Sequence, residues 1–325
     1  MFENGELFWI GFFAFIGVML ALDLFVFNKK SHEVGVKEAL RLSAFWIFLA
    51  VVFNLLVWYW FGDQKAMEFT TGYVLELTLS VDNLFVFIMV FSYFCTPKVC
   101  LHKVLFWGIF GALIFRGIFI MVGVTLVDQF AWVLYIFGIF LIATALKMAF
   151  QKEKKIDPKN TIPVRLFRKI MPVTDEYNGD HFVVRHAGIL MATPLLVTLV
   201  FIESTDIIFA MDSIPAILAI TTDPFIVYTS NAFAILGLRS MFFALQGSIT
   251  AFCYLKYGLA VILGFVGAKM LLAGWIHIPV LVSLGVIVTV LLITVLLSMY
   301  VNRGKATCDN CGYEGEGCKE LEEKK

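Results

Sequence analysis

Two stretches of this chain carry acids where acids are expensive. Glu76 and Asp82 lie inside one long apolar run, Glu203, Asp206 and Asp212 inside another, and Asp23 near the end of a third. An Asp at the centre of a membrane helix costs about 2.5–3.5 kcal/mol on insertion scales, so acids kept there must be paired or put to use. Arg116 and Arg239, also inside apolar runs, can staple two of them as ion pairs. Five carboxylates in two runs exceed two such cations, which leaves some to hold protons or a cation taken from solution. Ser80, Asn83, Thr78, Ser204 and Ser213 add neutral oxygens, and no His or Cys falls within either motif run. An all-oxygen donor set suits a hard ion such as Mn²⁺, Mg²⁺ or Ca²⁺ and disfavours Zn²⁺ or Cu⁺. It does not choose among the hard ions, and it leaves Na⁺ or proton transport open.

The elements that position these groups follow from hydropathy. Of 325 residues 60% are hydrophobic and 15% charged, with 34 Phe and a mean hydropathy of +0.88. Soluble domains carry about 25% charged residues, and one anchor of roughly 20 residues could not lift the mean so far. Apolar runs near 8–27, 43–61, 70–94, 101–127, 131–150, 189–213, 225–246, 255–275 and 278–300 predict nine membrane helices in an all-α polytopic protein. The runs are too long and too continuously apolar for barrel strands. The acidic start Met1-Phe-Glu-Asn-Gly-Glu lacks the basic flank of a signal peptide, so the first span is expected to be retained.

Lys and Arg set the expected orientation. With the N-terminus outside, inner segments hold 20 of them and outer segments only Lys65, which places the C-terminus in the cytoplasm. Trp9, Trp58, Trp60, Trp132 and Trp275 then fall near outer ends and Trp46 near an inner one, where interfacial Trp is expected. Net charge is zero and nothing suggests nucleic acid as a partner; lipid is the expected surroundings, and oligomeric state is not legible.

A repeat organises the acids. Ser80-Val-Asp82-Asn83-Leu-Phe85 aligns with Ser204-Thr-Asp206-Ile-Ile-Phe209, Arg116 with Arg239, and Tyr135 to Lys147-Met148 with Tyr257 to Lys269-Met270. A three-helix unit repeated in order must enter the membrane from opposite sides, the inverted arrangement common in secondary transporters. The expected organisation is two N-terminal helices (1–69), a first three-helix repeat (70–150), a cytoplasmic loop (151–188), a second repeat (189–275), a final helix (276–300) and a Cys-containing tail (301–325). At 100° per residue Glu203 and Asp206 share a helix face and can share a ligand. Asp212 lies about 180° from Glu203, which predicts either a break near Ser213 and Pro215 or a place in an outer vestibule.

Glu76-Leu-Thr-Leu-Ser-Val-Asp82-Asn83-Leu-Phe-Val and Glu203-Ser-Thr-Asp206-Ile-Ile-Phe-Ala-Met-Asp212-Ser213-Ile-Pro215-Ala closely resemble the TerC family, Alx branch, and the similarity continues through Ala21-Leu-Asp23-Leu, His181-Phe-Val-Val-Arg185 and Thr221-Thr-Asp-Pro-Phe-Ile. The resemblance implies a bacterial inner-membrane protein of the LysE-type transporter superfamily that exports Mn²⁺, with Ca²⁺ an alternative substrate and no resident cofactor. It implies metal ligation by Glu76, Asp82, Asn83, Glu203, Asp206, Asp212 and Ser213, supported by Asp23, Ser80, Ser204, Arg116 and Arg239. The expectation is alternating access through these carboxylates, coupled to protons, in a protein that is not an enzyme. A non-transporting scaffold for stress-response or secretion partners is the competing reading; an intramembrane protease would need a motif that is not evident.

Two segments stand apart from that pattern. Val164-Arg-Leu-Phe-Arg-Lys-Ile-Met171 reads as a short basic amphipathic helix on an anionic leaflet. Cys308, Cys311 and Cys318 offer three of the four ligands that structural Zn²⁺ wants; a plain tail is the simpler reading, and Cys95, Cys100 and His102 in a nearby loop are the other candidate donors.

Overall fold

The computed structural model describes residues 5–22, 35–94, 96–130, 132–150, 161–174, 177–186, 189–245, 255–276 and 278–301. The chain is all-α apart from one hairpin: α1 (Gly5–Leu22), α2 (Val36–Phe61), α3 (Asp63–Tyr93), α4 (Lys98–Gln129), α5 (Val133–Phe150), α6 (Ile162–Ile170), β1 (Val183–His186), β2 (Ile189–Ala192), α7 (Pro194–Leu218), α8 (Pro224–Leu245), α9 (Leu255–Leu272) and α10 (Val280–Val301). Seven of these helices, α2 to α5, α7, α8 and α10, are long and apolar enough to cross a membrane, while the apolar helices α1 and α9 are shorter. The protein is a multi-pass membrane protein. The most apolar span, in α10, is only 17% buried, whereas the least apolar, in α8, is 83% buried. Lipid is as apolar as Leu, so the helices facing it carry the apolar load and the central helix can keep Thr229, Ser230 and Asn231 inside.

Local signals delimit the helices. Gly62 alone separates α2 from α3; its φ of 85° is left-handed backbone that costs glycine little. Pro194 and Pro224 stand at the first positions of α7 and α8, where the missing N–H is not needed. Asp223 Oδ1 caps α8 by accepting from the N–H of Phe225 at 3.1 Å and of Ile226 at 3.4 Å. Pro215 does not break α7, which continues to Leu218; the helix forgoes the one bond that an N–H at 215 would make to the carbonyl four residues back. The apolar run expected to start a span at 189 instead begins as strand β2, antiparallel to β1 with Val183 opposite Ala192, because continuous apolarity does not distinguish a strand from a buried helix turn. The amphipathic stretch forms α6, which packs Val164 inward and leaves Ile162, Leu166 and Ile170 exposed.

Packing joins the expected repeats. In α3 and α7, Gly72 approaches Ile217; in α4 and α8, Gly117 approaches Tyr228 and His102 reaches Arg239; in α5 and α9, Gly138 meets Gly267 and Ala145 lies by Gly264. Each helix of the first set therefore runs antiparallel to its counterpart in the second. Phe12, Phe53, Phe69 and Phe233 knit α1, α2, α3 and α8, with Phe53 and Phe233 ring centroids 4.9 Å apart. Trp46 is 7% exposed in this core, not interfacial as its position near a span end suggested; Trp58, Trp60, Trp132 and Trp275 are exposed near helix ends.

The two ends of the bundle are tied differently. At one, Lys65 of α3 bridges Glu68 at 2.9 Å and Asp223 of the α7–α8 turn at 3.1 Å, and Thr221 donates to Glu68 at 2.6 Å. At the other, Tyr177 donates to the Phe94 carbonyl at 2.7 Å, and Lys103 donates to the Asp180 carbonyl at 2.7 Å and carboxylate at 2.9 Å. The segment after α6 is thus built onto the bundle, not a free linker.

These contacts make the glycine crossing and the Lys103 bridge testable. A Cβ at Gly267 would stand 2.8 Å from the Gly138 carbonyl oxygen, so Gly267→Leu should cost about 1–3 kcal/mol by overpacking and lower the thermal unfolding midpoint of the purified protein. Gly285→Ala, with nothing within 4 Å of the new Cβ, should leave it unchanged. The hydrogen bond from Lys103 holds the Asp180 carboxyl below its usual range. A folded-state value depressed in this way adds stability above the unfolded pKa of about 4 and loses it as pH falls through the folded value. Asp180→Asn should flatten that part of the stability profile between neutral and strongly acid pH; an unchanged acid limb would discount the bridge.

Candidate functional site

The site is built around one buried cation. Arg116, in the middle of α4, is 1% exposed and its guanidinium reaches two neighbouring helices. Nε and Nη2 donate to the two carboxylate oxygens of Asp206 in α7 at 3.1 and 2.9 Å, a fork that fixes both groups in one plane. Nη1 donates to Glu76 Oε1 in α3 and to Ser213 Oγ at 3.3 Å. Ser80 Oγ also donates to Glu76 Oε1, at 3.3 Å. Asp206 and Ser213 are seven residues apart, two helical turns, and so present one face of α7 to the arginine.

Glu76 is fully buried, and its second oxygen, Oε2, has no hydrogen-bond partner among the described residues. It lines a small cleft with about 20 Å³ of free space together with Asn83, Arg116, Asp212 and Ser213, closed on the apolar side by Leu79, Met148 and residues of α9. Asp212 is in this cleft because α7 is wedged between α4 and α5. The face that carries Asp206 meets α4, and a face about 120° around the helix brings Asp212 to Thr144 of α5, whose hydroxyl donates to it at 3.1 Å. Both sequence alternatives for Asp212, a broken helix or an outer vestibule, are replaced by a continuous helix serving two neighbours.

Glu203 is separate from this group. It faces α4 as Asp206 does, but its carboxylate is lodged where a Cβ at Gly111 would be, and its Oε2 is buried without a partner among the described residues. The two acids share a helix face, and Arg116 engages both oxygens of Asp206. Ser204 donates to the Val200 carbonyl of its own helix at 2.6 Å. Arg239 Nη2 donates to His102 Nδ1 at 2.8 Å, and the His102 ring stacks on Phe243 at 4.4 Å. The Cys100 thiol points to the Gly179 carbonyl at 3.4 Å. Arg239 and Asp206 line a second small cavity, of about 20 Å³, whose remaining walls are apolar.

Among the described residues no three Asp, Glu, His or Cys side chains converge on one ion-sized position. Asp23, Cys95 and the Cys308, Cys311 and Cys318 tail lie outside the described residues, as does the side chain of Asp82. Two contributors escaped sequence reasoning. Thr144 has no motif around it, and Gly111 matters only because Glu203 arrives beside it from another helix.

A family model for the integral membrane protein TerC family matches residues 61–306, the stretch that holds every carboxylate of the site. The chain is 49% identical over 301 residues to an uncharacterized membrane protein of Myxococcus xanthus, STKORF319, covering 93% of this chain and 94% of that one. It is 45% identical over 305 residues to a protein of Escherichia coli K12 provisionally called membrane-bound redox modulator Alx, covering 91% of this chain and 95% of that one. No solved structure matches it. With its motif helices crossing at a buried arginine and relatives aligned over nearly their whole length, the chain belongs to the TerC family of integral membrane proteins.

Proposed function

We propose that the protein carries a hard divalent cation, Mn²⁺ in the reading that the TerC resemblance implies, out of the cytoplasm by alternating access. The observation that carries this reading is the cleft inside the bundle, lined by the oxygen donors of Glu76, Asn83, Asp212 and Ser213, in which Glu76 Oε2 has no partner among the described residues. An unpaired carboxylate oxygen away from water is costly, and a cation with part of its hydration shell is the partner such a group accommodates. Four protein oxygens completed by water suit the octahedral preference of Mn²⁺ or Mg²⁺, and the looser shell of Ca²⁺ also fits. The antiparallel pairing of α3 with α7, α4 with α8 and α5 with α9 supports two inverted repeats rocking about the site. The bias of Lys and Arg supports an outside N-terminus in a bacterial inner membrane.

In this mechanism Glu76 and Asp212 hold the ion with Asn83 and Ser213, while Asp206 stays neutralised by Arg116 in the empty state. Glu203, set apart against Gly111, is the group assigned to proton exchange: a carboxyl that releases a proton as the ion binds keeps the buried charge nearly balanced. In this reading the protein is a carrier without a resident cofactor, not an enzyme. The name of the Alx relatives, membrane-bound redox modulator, favours a second reading, a modulator role in the membrane.

Asp212→Asn separates the two readings better than Asp206→Asn does. Removing one partner of the Arg116 fork should destabilise the protein by about 3–5 kcal/mol whatever it does. The amide introduced by Asp212→Asn would keep an acceptor for Thr144 and leave the fork intact. In metal-loaded cells at matched membrane levels, wild type should lower cytoplasmic Mn and Asp212→Asn should lose most of that effect while keeping normal thermal stability. Equal Mn, Ca and Mg content in cells with wild type, variant and empty vector would sink the transport reading and favour the modulator.

A further inference from the structure

The cleft at Glu76 and the cavity at Arg239 share no lining residue. What lies between them is the Arg116–Asp206 fork: Arg116 faces the first, Asp206 the second, and two hydrogen bonds join them. We propose that the Arg116 guanidinium is a movable plug that separates the two cavities and occupies the cation's place in the empty carrier, so that the transported ion must displace it. The proposal rests on the transport reading above and deepens it.

Charge gives the first reason. A divalent ion held by Glu76 would stand beside a guanidinium already bonded to the other oxygen of the same carboxylate, and like charges that close in a low-dielectric interior repel strongly. One of them must move. Geometry supplies the second, because Arg116 has somewhere to go. Asp212 lines the same cleft, and its described hydrogen bond is a single one, from the Thr144 hydroxyl. A swing of the long arginine side chain toward Asp212 would release Asp206 to the second cavity and open a carboxylate path from Glu76 to Asp206 without exposing an unpaired cation to lipid. An arginine that only stapled helices would not need both of its anions to border separate cavities.

The test uses the full chain, purified in detergent and reconstituted in phosphatidylethanolamine–phosphatidylglycerol vesicles, with Mn²⁺ alone as the probe. If Arg116 competes with the ion, Arg116→Gln should bind Mn²⁺ about tenfold more tightly than wild type and let it run down its gradient in either direction, with coupled transport lost. Arg116→Lys keeps the charge but not the fork and should fall between the two; it decides the matter if Arg116→Gln does not fold. Folded variants that bind Mn²⁺ as wild type does, or more weakly, and that hold a Mn²⁺ gradient would overturn the plug while leaving wild-type transport standing. Wild type that neither binds nor moves Mn²⁺ would remove the transport reading, and the plug with it.

Discussion

A guanidinium cannot be left alone in the middle of a membrane bundle, and most of the site follows from how this chain answers that constraint. Arg116 is reached by carboxylates from two helices, α3 and α7, and by a serine two turns along from the second acid. Buried ion pairs of this kind add little net stability over apolar packing, but they are costly to disrupt and so select one arrangement among many. Here the selected arrangement sets the rotation of α7. With Asp206 turned to α4, helical geometry leaves Asp212 facing α5, and the cleft exists because those two faces serve different neighbours.

Lipid as solvent explains the rest of the architecture. The helices on the outside gain nothing from hiding Leu and Val, so their association depends on close approach and shape. That is visible where α5 and α9 cross at Gly138 and Gly267 and where Gly72 admits Ile217 and Ser230. Polar contacts retreat to the helix ends and the centre. The ends differ in chemistry: an ionic cluster around Lys65 ties α3 to the α7–α8 turn, while on the opposite side the Tyr177 hydroxyl and the Lys103–Asp180 bridge tie the hairpin segment to α3 and α4. The proposed alternating access would require one set of contacts to be released while the other is kept, and among the described residues these are partly exposed, unlike the buried arginine.

Glu203 and Glu76 show how two similar acids acquire different work from packing alone. Each has one carboxylate oxygen without a hydrogen-bond partner among the described residues, yet Glu76 opens to a cleft with other donors while Glu203 is lodged against a glycine on the neighbouring helix. The proposed roles, an ion at the first and a proton at the second, depend on what stands opposite each side chain.

The sequence alone determined the class of protein, because mean hydropathy and charge content are sums over residues and need no folding to evaluate. It also carried the acid motifs, the oxygen-only donor chemistry and the paired stretches that become α3 to α5 and α7 to α9, since motif spacing and helix period are local properties. It located α6 from its pattern, and it misread residues 189–192, where pairing with 183–186 overrides an apolar run that continues into α7. What only the tertiary structure decided is which acid meets which base. Helix period fixes relative angles within one helix but not the rotation of that helix against its neighbours, so Arg116 taking both Glu76 and Asp206, Arg239 turning to His102, Asp212 finding Thr144 and Glu203 settling on Gly111 became legible only once the helices were packed.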